Sequence, residues 1–304
     1  MVHLKVNTPI FISPCKWLSR INNYTEMIIQ LNKKELALFS RTHIMGILNV
    51  TPDSFSDGGN YFKLEDAVKQ GIKMAEEGAD IIDVGGESTR PGSNPITIEE
   101  ELSRVIPVIE SLSKQIDVPI SIDTYKAKAA QEALDAGAQM INDISALRFD
   151  PEMKKIVAEY KAPIVLMHIQ GTPRNMQENP WYKDVIDEIA GYFIESIKIA
   201  LDAGIARDKI IIDPGIGFGK RLEDNLNILK NLKNFSILNS PILIGCSRKS
   251  FIGKILDLPV EERLEGSLAA MAVAIMNGAN IVRVHEVKES KRIASLVDAI
   301  LRAD

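Results

Sequence analysis

The sequence predicts an α/β protein with the architecture of a (β/α)8 TIM barrel, preceded by an N-terminal extension. Eight short runs rich in Ile, Val and Met recur along the chain, helical stretches separate them, and the order is strand then helix throughout. Near-continuous apolar strands that alternate with helices indicate parallel strands buried on both faces. Eight such units in about 260 residues fit a closed barrel better than an open sheet.

Each unit begins with a predicted strand and continues with a helix that hydrophobic periodicity indicates. Several of the helices end in Gly, as a helix C-cap does. The sequence SRKSFIGKI is expected to start a further helix. The predicted strands are 43–50, 80–86, 119–124, 140–145, 163–168, 209–214, 241–247 and 280–285. The clearest helices are 64–77, 98–115, 127–137, 184–203 and 264–279.

Residues 1–40 precede the first of these strands. They are mixed in character and contain Pro9, Pro14 and the sequence INNY. We interpret them as a cap over the barrel bottom or as a loosely attached extension. Residues 41–304 then form a single barrel domain.

Composition limits the classes of function that the chain can have. It has 304 residues, of which 45% are hydrophobic, enough for one large domain. With 36 Lys and Arg against 41 Asp and Glu the net charge is −5, and no long basic tract suggests a nucleic-acid or membrane partner. No stretch of about 18 apolar residues could span a membrane, and the N-terminus lacks a secretory signal. The two cysteines, Cys15 and Cys246, are far apart, which argues against a disulfide framework or zinc site and favours a reducing cytoplasm.

Polar residues stand at the end of every predicted strand. One such residue is usually solvated or caps the next helix, but here all eight strand ends are polar. Because active sites of (β/α)8 barrels lie at the C-terminal strand ends, these side chains should converge on one mouth. They are Asn49, Asp83, Glu87, Asp123, Asn142, Asp143, His168, Asp213, Ser247, Arg248, Lys249, Arg283 and His285.

The residue types at this mouth indicate the chemistry of a ligand. Asp123, Asn142 and Asp213 could form hydrogen bonds with a flat heterocycle that carries N–H donors. Positive charge nearby, from Lys249, Arg283 and His285, would suit a phosphate or diphosphate. The alternative for Asp213, in DPGIGFGK, is that it only orders a glycine-rich turn.

Longer sequence blocks occur at the same strand ends. They are MGILNVTPDSFSDGG, DVGGESTRPG, SIDTYK, IND, LMHIQGTPRNMQ, IIDPGIGFGK, SRKSFIG and GSLAAMAVAIMNGANIVRVHEV. From about residue 43 to the C-terminus, these blocks resemble the dihydropteroate synthase family, the pterin-binding TIM barrels of folate biosynthesis. The resemblance implies condensation of 6-hydroxymethyl-7,8-dihydropterin diphosphate with p-aminobenzoate, giving 7,8-dihydropteroate and diphosphate by an SN1-like displacement. It also implies a sulfonamide target and a homodimer. The Ala- and Met-rich face of residues 264–276 fits either intramolecular core, which is the default, or part of a dimer seam.

The same resemblance implies roles for individual residues, matched motif by motif. Asn49 would also help to bind Mg²⁺, a hard cation that prefers oxygen ligands. The catalytic groups would be Asp123, Asp213, Lys249, Arg283 and His285. The pterin would contact Asp123, Asn142, Met167, Asp213 and Lys249. The p-aminobenzoate would contact Phe55, Thr89, Arg90, Pro91, Phe218, Lys249 and Ser250. The diphosphate would contact Asn49, Thr89, Arg283 and His285.

Two loops, 51–60 and 86–95, carry glycines for mobility and polar groups for closure. We expect them to act as lids that exclude water from a cationic intermediate. Three other functions remain open: a corrinoid-dependent methyltransferase with a related pterin barrel, a non-catalytic pterin-binding protein, and a Schiff-base aldolase that uses Lys249. The position of Lys249 just beyond its strand argues against the last of these.

Overall fold

The computed structural model describes residues 27–31, 34–51 and 60–303. Two short strands, β1 and β2, form an antiparallel hairpin, and eight further strands form a parallel sheet. The strands are β1 Ile28–Leu31, β2 Lys34–Ala37, β3 His43–Asn49, β4 Ile81–Gly85, β5 Ile120–Asp123, β6 Met140–Asp143, β7 Ile164–Met167, β8 Ile210–Asp213, β9 Leu243–Ile244 and β10 Ile281–Val284.

Helices follow the strands of the parallel sheet. The Thr97 side chain caps α2 by accepting a hydrogen bond from Glu100 N, and the Asp184 carboxylate caps α5 by accepting from Ile186 N and Asp187 N. The helices in the described part of the chain are α1 Asn60–Glu76, α2 Ile98–Ser113, α3 Ala127–Asp135, α4 Met153–Tyr160, α5 Val185–Asp202, α6 Leu222–Lys230, α7 Ser250–Leu256, α8 Leu264–Met276 and α9 Val287–Leu301.

The parallel sheet curves into a barrel. Its strand order is β8-β7-β6-β5-β4-β3-β10-β9. An isolated parallel bridge between Ile212 and Ile242, with Ile212 N donating to Pro241 O at 3.0 Å, joins the two outer strands. The predicted (β/α)8 barrel is therefore confirmed. Its seventh strand, Leu243–Ile244, is shorter than the predicted 241–247, and a turn at Ser247 and Arg248 follows it before α7.

Hydrophobic side chains fill two distinct layers. Outside the barrel, strand residues such as Ile44 and Ile82 pack against helix residues such as Ile109 and Phe193. Inside it, at the N-terminal ends of the strands, a second cluster closes the bottom. Its members are Met45, Ile81, Met140, Val165, Ile211, Leu243 and Ile281 from the barrel, with Ile29, Leu31, Leu36 and Leu38 from the hairpin segment.

The hairpin therefore lies beneath the barrel and covers its bottom with aliphatic side chains. It is tied there by polar contacts as well: Asn280 Nδ2 donates to Leu38 O at 3.1 Å, and His43 Nε2 lies 3.1 Å from Ala37 O. This hairpin is part of the segment interpreted as a cap or a loose extension. Residues 1–26 of that segment lie outside the described residues.

No helix in the described ranges is both long enough and apolar enough to cross a membrane.

Candidate active site

A network of charged side chains fills the C-terminal half of the barrel interior. Arg283 on β10 donates through Nε to Asp83 Oδ2 on β4 at 2.6 Å, and through Nη2 to Asp123 Oδ2 on β5 at 2.7 Å. Asn142 Nδ2, on β6, donates to the same Asp83 oxygen at 2.9 Å. Four side chains from four strands thus meet inside the barrel.

This network leaves buried acceptors free. Asp83 Oδ1, Asp123 Oδ1 and Asn142 Oδ1 are buried and have no hydrogen-bond partner among the described residues. A buried polar atom without a partner costs about 1–3 kcal/mol, so such atoms usually have a functional explanation. Burial raises the pKa of Asp123, while the charge of Arg283 opposes that rise. The arrangement suits a ligand that presents several N–H donors.

Asp213, at the end of β8, lies beside Met167 of β7 in the sheet register. Its Oδ1 accepts a hydrogen bond from Gly215 N at 2.8 Å. Burial raises the pKa of Asp213 to about 6, although this hydrogen bond and the nearby Lys249 both act to lower it. The alternative interpretation, that Asp213 orders a glycine-rich turn, is thus correct in part, because one of its oxygens does so.

The glycine-rich turn passes very close to the segment that follows β7. Gly215 and Gly219 have φ values of 71° and 63°. A Cβ atom would lie 2.0 Å from His168 O if added to Gly215, and 2.5 Å from Gln170 O if added to Gly219. Only glycine fits at these two positions, and this close approach places Phe218 in the mouth of the barrel.

An apolar wall forms around Phe218. Lys249 places its Nζ 4.2 Å from the centre of the Phe218 ring. Burial and the charge of Arg283 lower the pKa of Lys249 to about 8. The wall also contains Ile144, Met167, Ile169 and Met176.

His285 lies just after β10, the strand that pairs with β9. Its Nδ1 is 2.9 Å from Ser247 Oγ. Burial is the main cause that lowers the pKa of His285 to about 3, and the positive charges of Arg283 and Arg248 lower it further. This shift favours the neutral form of the ring, in which His285 would act as a hydrogen-bonding group rather than as the positive charge that the sequence predicted.

The loop between β4 and α2 carries three predicted site residues. Thr89 is half-buried, and Arg90 and Pro91 are exposed. Arg90 is among the cations that depress the His285 pKa, so it acts on the same side of the mouth. Ser250 is the exposed first residue of α7 and follows Lys249 directly. Phe55, the remaining predicted contact, lies outside the described residues.

Two polar strand ends have local structural roles. Asp143 accepts hydrogen bonds from Ser145 N at 2.8 Å and Leu147 N at 2.7 Å. His168 Nδ1 lies 2.9 Å from Lys220 Nζ, and both side chains are buried. Neither Asp143 nor His168 shares a hydrogen bond with the Arg283 network.

Sequence reasoning noted Asp83 and Glu87 as polar strand ends but gave them no role. Asp83 joins Arg283 to Asn142, and Glu87 binds Lys126 at 2.6 Å. The strand period could have predicted that Asp83 faces the barrel interior. Side chains two residues apart on a strand share a face, and Ile81 lies in that interior. No comparable sequence signal identifies the partner of Glu87.

Asn49 is the only residue to which the sequence analysis assigned metal binding. It is half-buried at the end of β3, paired in register with Gly85. No group of three or more His, Cys, Asp or Glu side chains in the described ranges could hold a metal ion. A single carboxamide oxygen nevertheless fits Mg²⁺, which commonly combines one or two protein oxygens with water and substrate phosphate oxygens.

Comparison with known proteins addresses the family. A profile described as pterin binding enzyme matches residues 45–285. Dihydropteroate synthase from Bacillus subtilis is 49% identical over 274 residues, covering 90% of this chain and 94% of the relative. The Escherichia coli enzyme is 51% identical over 264 residues, covering 87% and 93%. This chain belongs to the dihydropteroate synthase family.

Solved structures of other dihydropteroate synthases have the same fold. The Yersinia pestis enzyme in a sulfonamide drug complex gives a TM-score of 0.86 at 44% identity, covering 91% of this chain and 100% of that one. The Xanthomonas albilineans enzyme with 4-aminobenzoic acid gives 0.87 at 43%, covering 92% and 100%. The resemblance inferred from the strand-end motifs is thereby confirmed, while the roles of single residues stay predictions.

Proposed function

We propose that this chain condenses 6-hydroxymethyl-7,8-dihydropterin diphosphate with p-aminobenzoate, forming 7,8-dihydropteroate and diphosphate in folate biosynthesis. Family membership supports this transferase reaction. So does a Xanthomonas albilineans relative, solved in complex with 7,8-dihydropteroate, with a TM-score of 0.83 at 41% identity. The single observation that carries the proposal is the set of unpaired, buried oxygens of Asp83, Asp123 and Asn142 inside the barrel.

The pterin ring would enter the barrel interior. There the Asp213 carboxylate would accept hydrogen bonds from the 2-amino group and N3–H, with Asp123 and Asn142 against other ring atoms. Met167 and Lys249 would line the ring. Arg283 holds Asp123 through a 2.7 Å hydrogen bond, so the position of this carboxylate is fixed before the substrate arrives.

The first chemical step would break the bond between the substrate methylene carbon and its diphosphate oxygen. The electron pair leaves with the diphosphate, and the electron-rich dihydropterin shares the positive charge that remains. Asp213 and Asp123 would stabilise this cation as preorganised negative charges in a buried site. No nucleophilic side chain is needed.

Diphosphate would bind where Asn49, Thr89, Arg283 and His285 approach the mouth. Because two Arg283 donors already bind Asp83 and Asp123, its remaining N–H groups would contact the phosphate oxygens. His285 would act as a neutral donor, since Nδ1 faces the Ser247 hydroxyl and leaves Nε2 for the ligand. Asn49 would hold Mg²⁺, which when bound neutralises charge on the diphosphate oxygens.

The second step would form the new carbon–nitrogen bond. The arylamine of p-aminobenzoate attacks the methylene carbon, and its nitrogen then releases a proton. Phe218 and Pro91 would pack on the benzoate ring, Ser250 would hold its carboxylate, and Thr89 and Arg90 would line the same subsite. Phe55, predicted from the sequence to join them, belongs to the loop that we expect to exclude competing water.

An omission assay tests the function. Purified protein is given Mg²⁺, p-aminobenzoate and the dihydropterin diphosphate, and dihydropteroate and diphosphate are measured with each component left out in turn. We expect product only from the complete mixture. Tight pterin binding without product would instead indicate a binding protein or a methyltransferase, and the corrinoid partner would be supplied next.

We also propose that the chain forms a homodimer through α8. Val273 and Met276 on this helix are 44% and 62% exposed, and Leu296 and Ile300 on the adjacent α9 are 59% and 62% exposed. Sedimentation of the wild type and of Met276→Glu should give a dimer and a monomer, respectively. A cytoplasmic location is proposed as well, consistent with the free, buried thiol of Cys246.

A further inference from the structure

The loop from Gly86 to Thr97 connects β4 to α2 and carries Thr89, Arg90 and Pro91 near its tip. The tip is exposed and joined to the neighbouring loop by a backbone hydrogen bond from Gly92 N to Pro173 O at 3.0 Å. The base of the loop, in contrast, is held by hydrogen bonds to buried charged side chains.

One ammonium group holds both ends of this loop. Lys126 Nζ donates to Glu87 Oε2 at 2.6 Å at the start of the loop, and to Ile96 O at 2.9 Å at its end. Lys126 also donates to Glu101 Oε2 on α2 at 2.7 Å. We call Glu87, Glu101 and Lys126 the loop anchor.

Further hydrogen bonds complete the loop anchor. Glu87 Oε2 accepts from Ile96 N at 3.2 Å, and Glu87 Oε1 accepts from the Tyr125 hydroxyl at 2.8 Å. Tyr125 in turn packs against the apolar wall of the mouth that contains Phe218. The loop base is therefore connected directly to the side of the site assigned to p-aminobenzoate.

The loop anchor is charged and deeply buried. Lys126 is 9% exposed and Glu101 is 1% exposed. Burial by itself would lower the pKa of Lys126, but hydrogen bonds to Glu101 and Glu87 outweigh it and raise that pKa. Apolar residues of similar volume often stabilise a fold as well as a buried ion pair does, so general stability is a weak explanation for this cluster. Its hydrogen bonds to both loop ends suggest that it serves to fix their geometry.

We propose that the loop anchor positions the p-aminobenzoate subsite by fixing both ends of loop 86–97. The proposal rests on the proposed function, which assigns the loop tip to that subsite. The three polar strand residues that would bind the pterin, Asp123, Asn142 and Asp213, share no hydrogen bond with the loop anchor among the described residues. The charge of Glu101 raises the pKa of Asp123, so Glu87 is the anchor residue to substitute. Disturbing the anchor should therefore affect one substrate and spare the other.

The test compares variants by steady-state kinetics for both substrates, by calorimetric binding of the dihydropterin diphosphate, and by thermal unfolding. Glu87→Ala should remain folded because Lys126 keeps Glu101 as its partner at 2.7 Å. It should raise KM for p-aminobenzoate about 10-fold or more, with kcat and pterin affinity little changed, because misplaced positioning groups weaken a substrate's alignment. Tyr125→Phe, which removes only a hydroxyl, should shift the same KM in the same direction by a smaller factor.

Glu132→Gln is the matched control, because it breaks an exposed ion pair with Lys128 on α3 at 2.6 Å. All of its constants should equal those of the wild type. The proposal is overturned if folded Glu87→Ala and Tyr125→Phe keep the wild-type KM for p-aminobenzoate, or if their pterin affinity falls by the same factor. Absence of turnover in the wild type would count against the proposed function instead.

Discussion

The two ends of the barrel interior are built from the same strands and have opposite chemistry. At the bottom, Ile81, Met140, Ile211 and Ile281 belong to one aliphatic cluster with the hairpin. Two residues further along the same strands, on the same inward face, lie Asp83, Asn142, Asp213 and Arg283. A step of two residues thus separates a dry core from a charged site.

The aliphatic bottom of the barrel stabilises the fold, whereas the charged mouth lowers its stability. Each buried aliphatic side chain at the bottom contributes about 1.5–3 kcal/mol. At the mouth, the raised pKa values of Asp123 and Asp213 mean that ionising these carboxyls in the folded protein is unfavourable. We therefore expect substitutions at the bottom to change stability, and most substitutions at the mouth to change activity.

Arg283→Met is the exception at the mouth, because it should lower both stability and activity, and its expected effect is the largest. It leaves Asp83 and Asp123 buried without their cation, which should cost about 3–5 kcal/mol of unfolding free energy, and turnover should be lost. Urea unfolding and the condensation assay measure the two effects. The double variant Arg283→Met/Asp123→Asn should recover part of the stability and none of the activity. A single variant as stable as the wild type would contradict the proposed charge balance.

Ile211→Ala makes the corresponding change at the bottom, two residues before Asp213. The fully buried side chain leaves a cavity, so the variant should lose about 2–5 kcal/mol of unfolding free energy. Turnover per folded molecule should equal that of the wild type at a temperature where both are folded. Equal stability of the two proteins would show that the bottom cluster is not the source of the barrel's stability.

The smallest expected effect is a pH dependence of pterin binding. Because burial raises the pKa of Asp213 to about 6, affinity for 6-hydroxymethylpterin should fall below pH 6, by about tenfold per pH unit. This ligand lacks the diphosphate, so phosphate titration does not contribute. The effect of Asp213 on folding stability runs in the opposite direction with pH. Because its pKa is raised in the folded protein, protonated Asp213 stabilises the fold at low pH, and this contribution is lost as the pH rises through about 6. Flat affinity from pH 7 to 5 would exclude Asp213 as an ionised acceptor.

Sequence patterns predicted the barrel because its strands are apolar runs whose period and order are local properties. The polar strand ends likewise predicted the mouth, and Asp123, Asn142, Asp213 and Arg283 do lie in it. Other features depend on contacts between distant segments. The lowered pKa of His285 comes from burial and from the charges of Arg283, Arg248, Lys249 and Arg90, three of which lie far from it in sequence. Lys126 likewise reaches Glu87 across 39 residues of sequence.

Titration of the dihydropterin diphosphate into the wild type and Asp213→Asn, with thermal unfolding of the same samples, tests whether Asp213 binds the pterin at a cost in stability. The asparagine keeps an oxygen for Gly215 N but removes the charge that the pterin N–H groups require. Two charge-assisted hydrogen bonds are worth about 1.5–3 kcal/mol each, so affinity should fall about 100-fold or more. The variant should melt at the same temperature as the wild type or higher. Wild-type affinity of Asp213→Asn for the dihydropterin diphosphate, or a clearly lower melting temperature, would contradict the claim that Asp213 binds the pterin at a cost in folding stability.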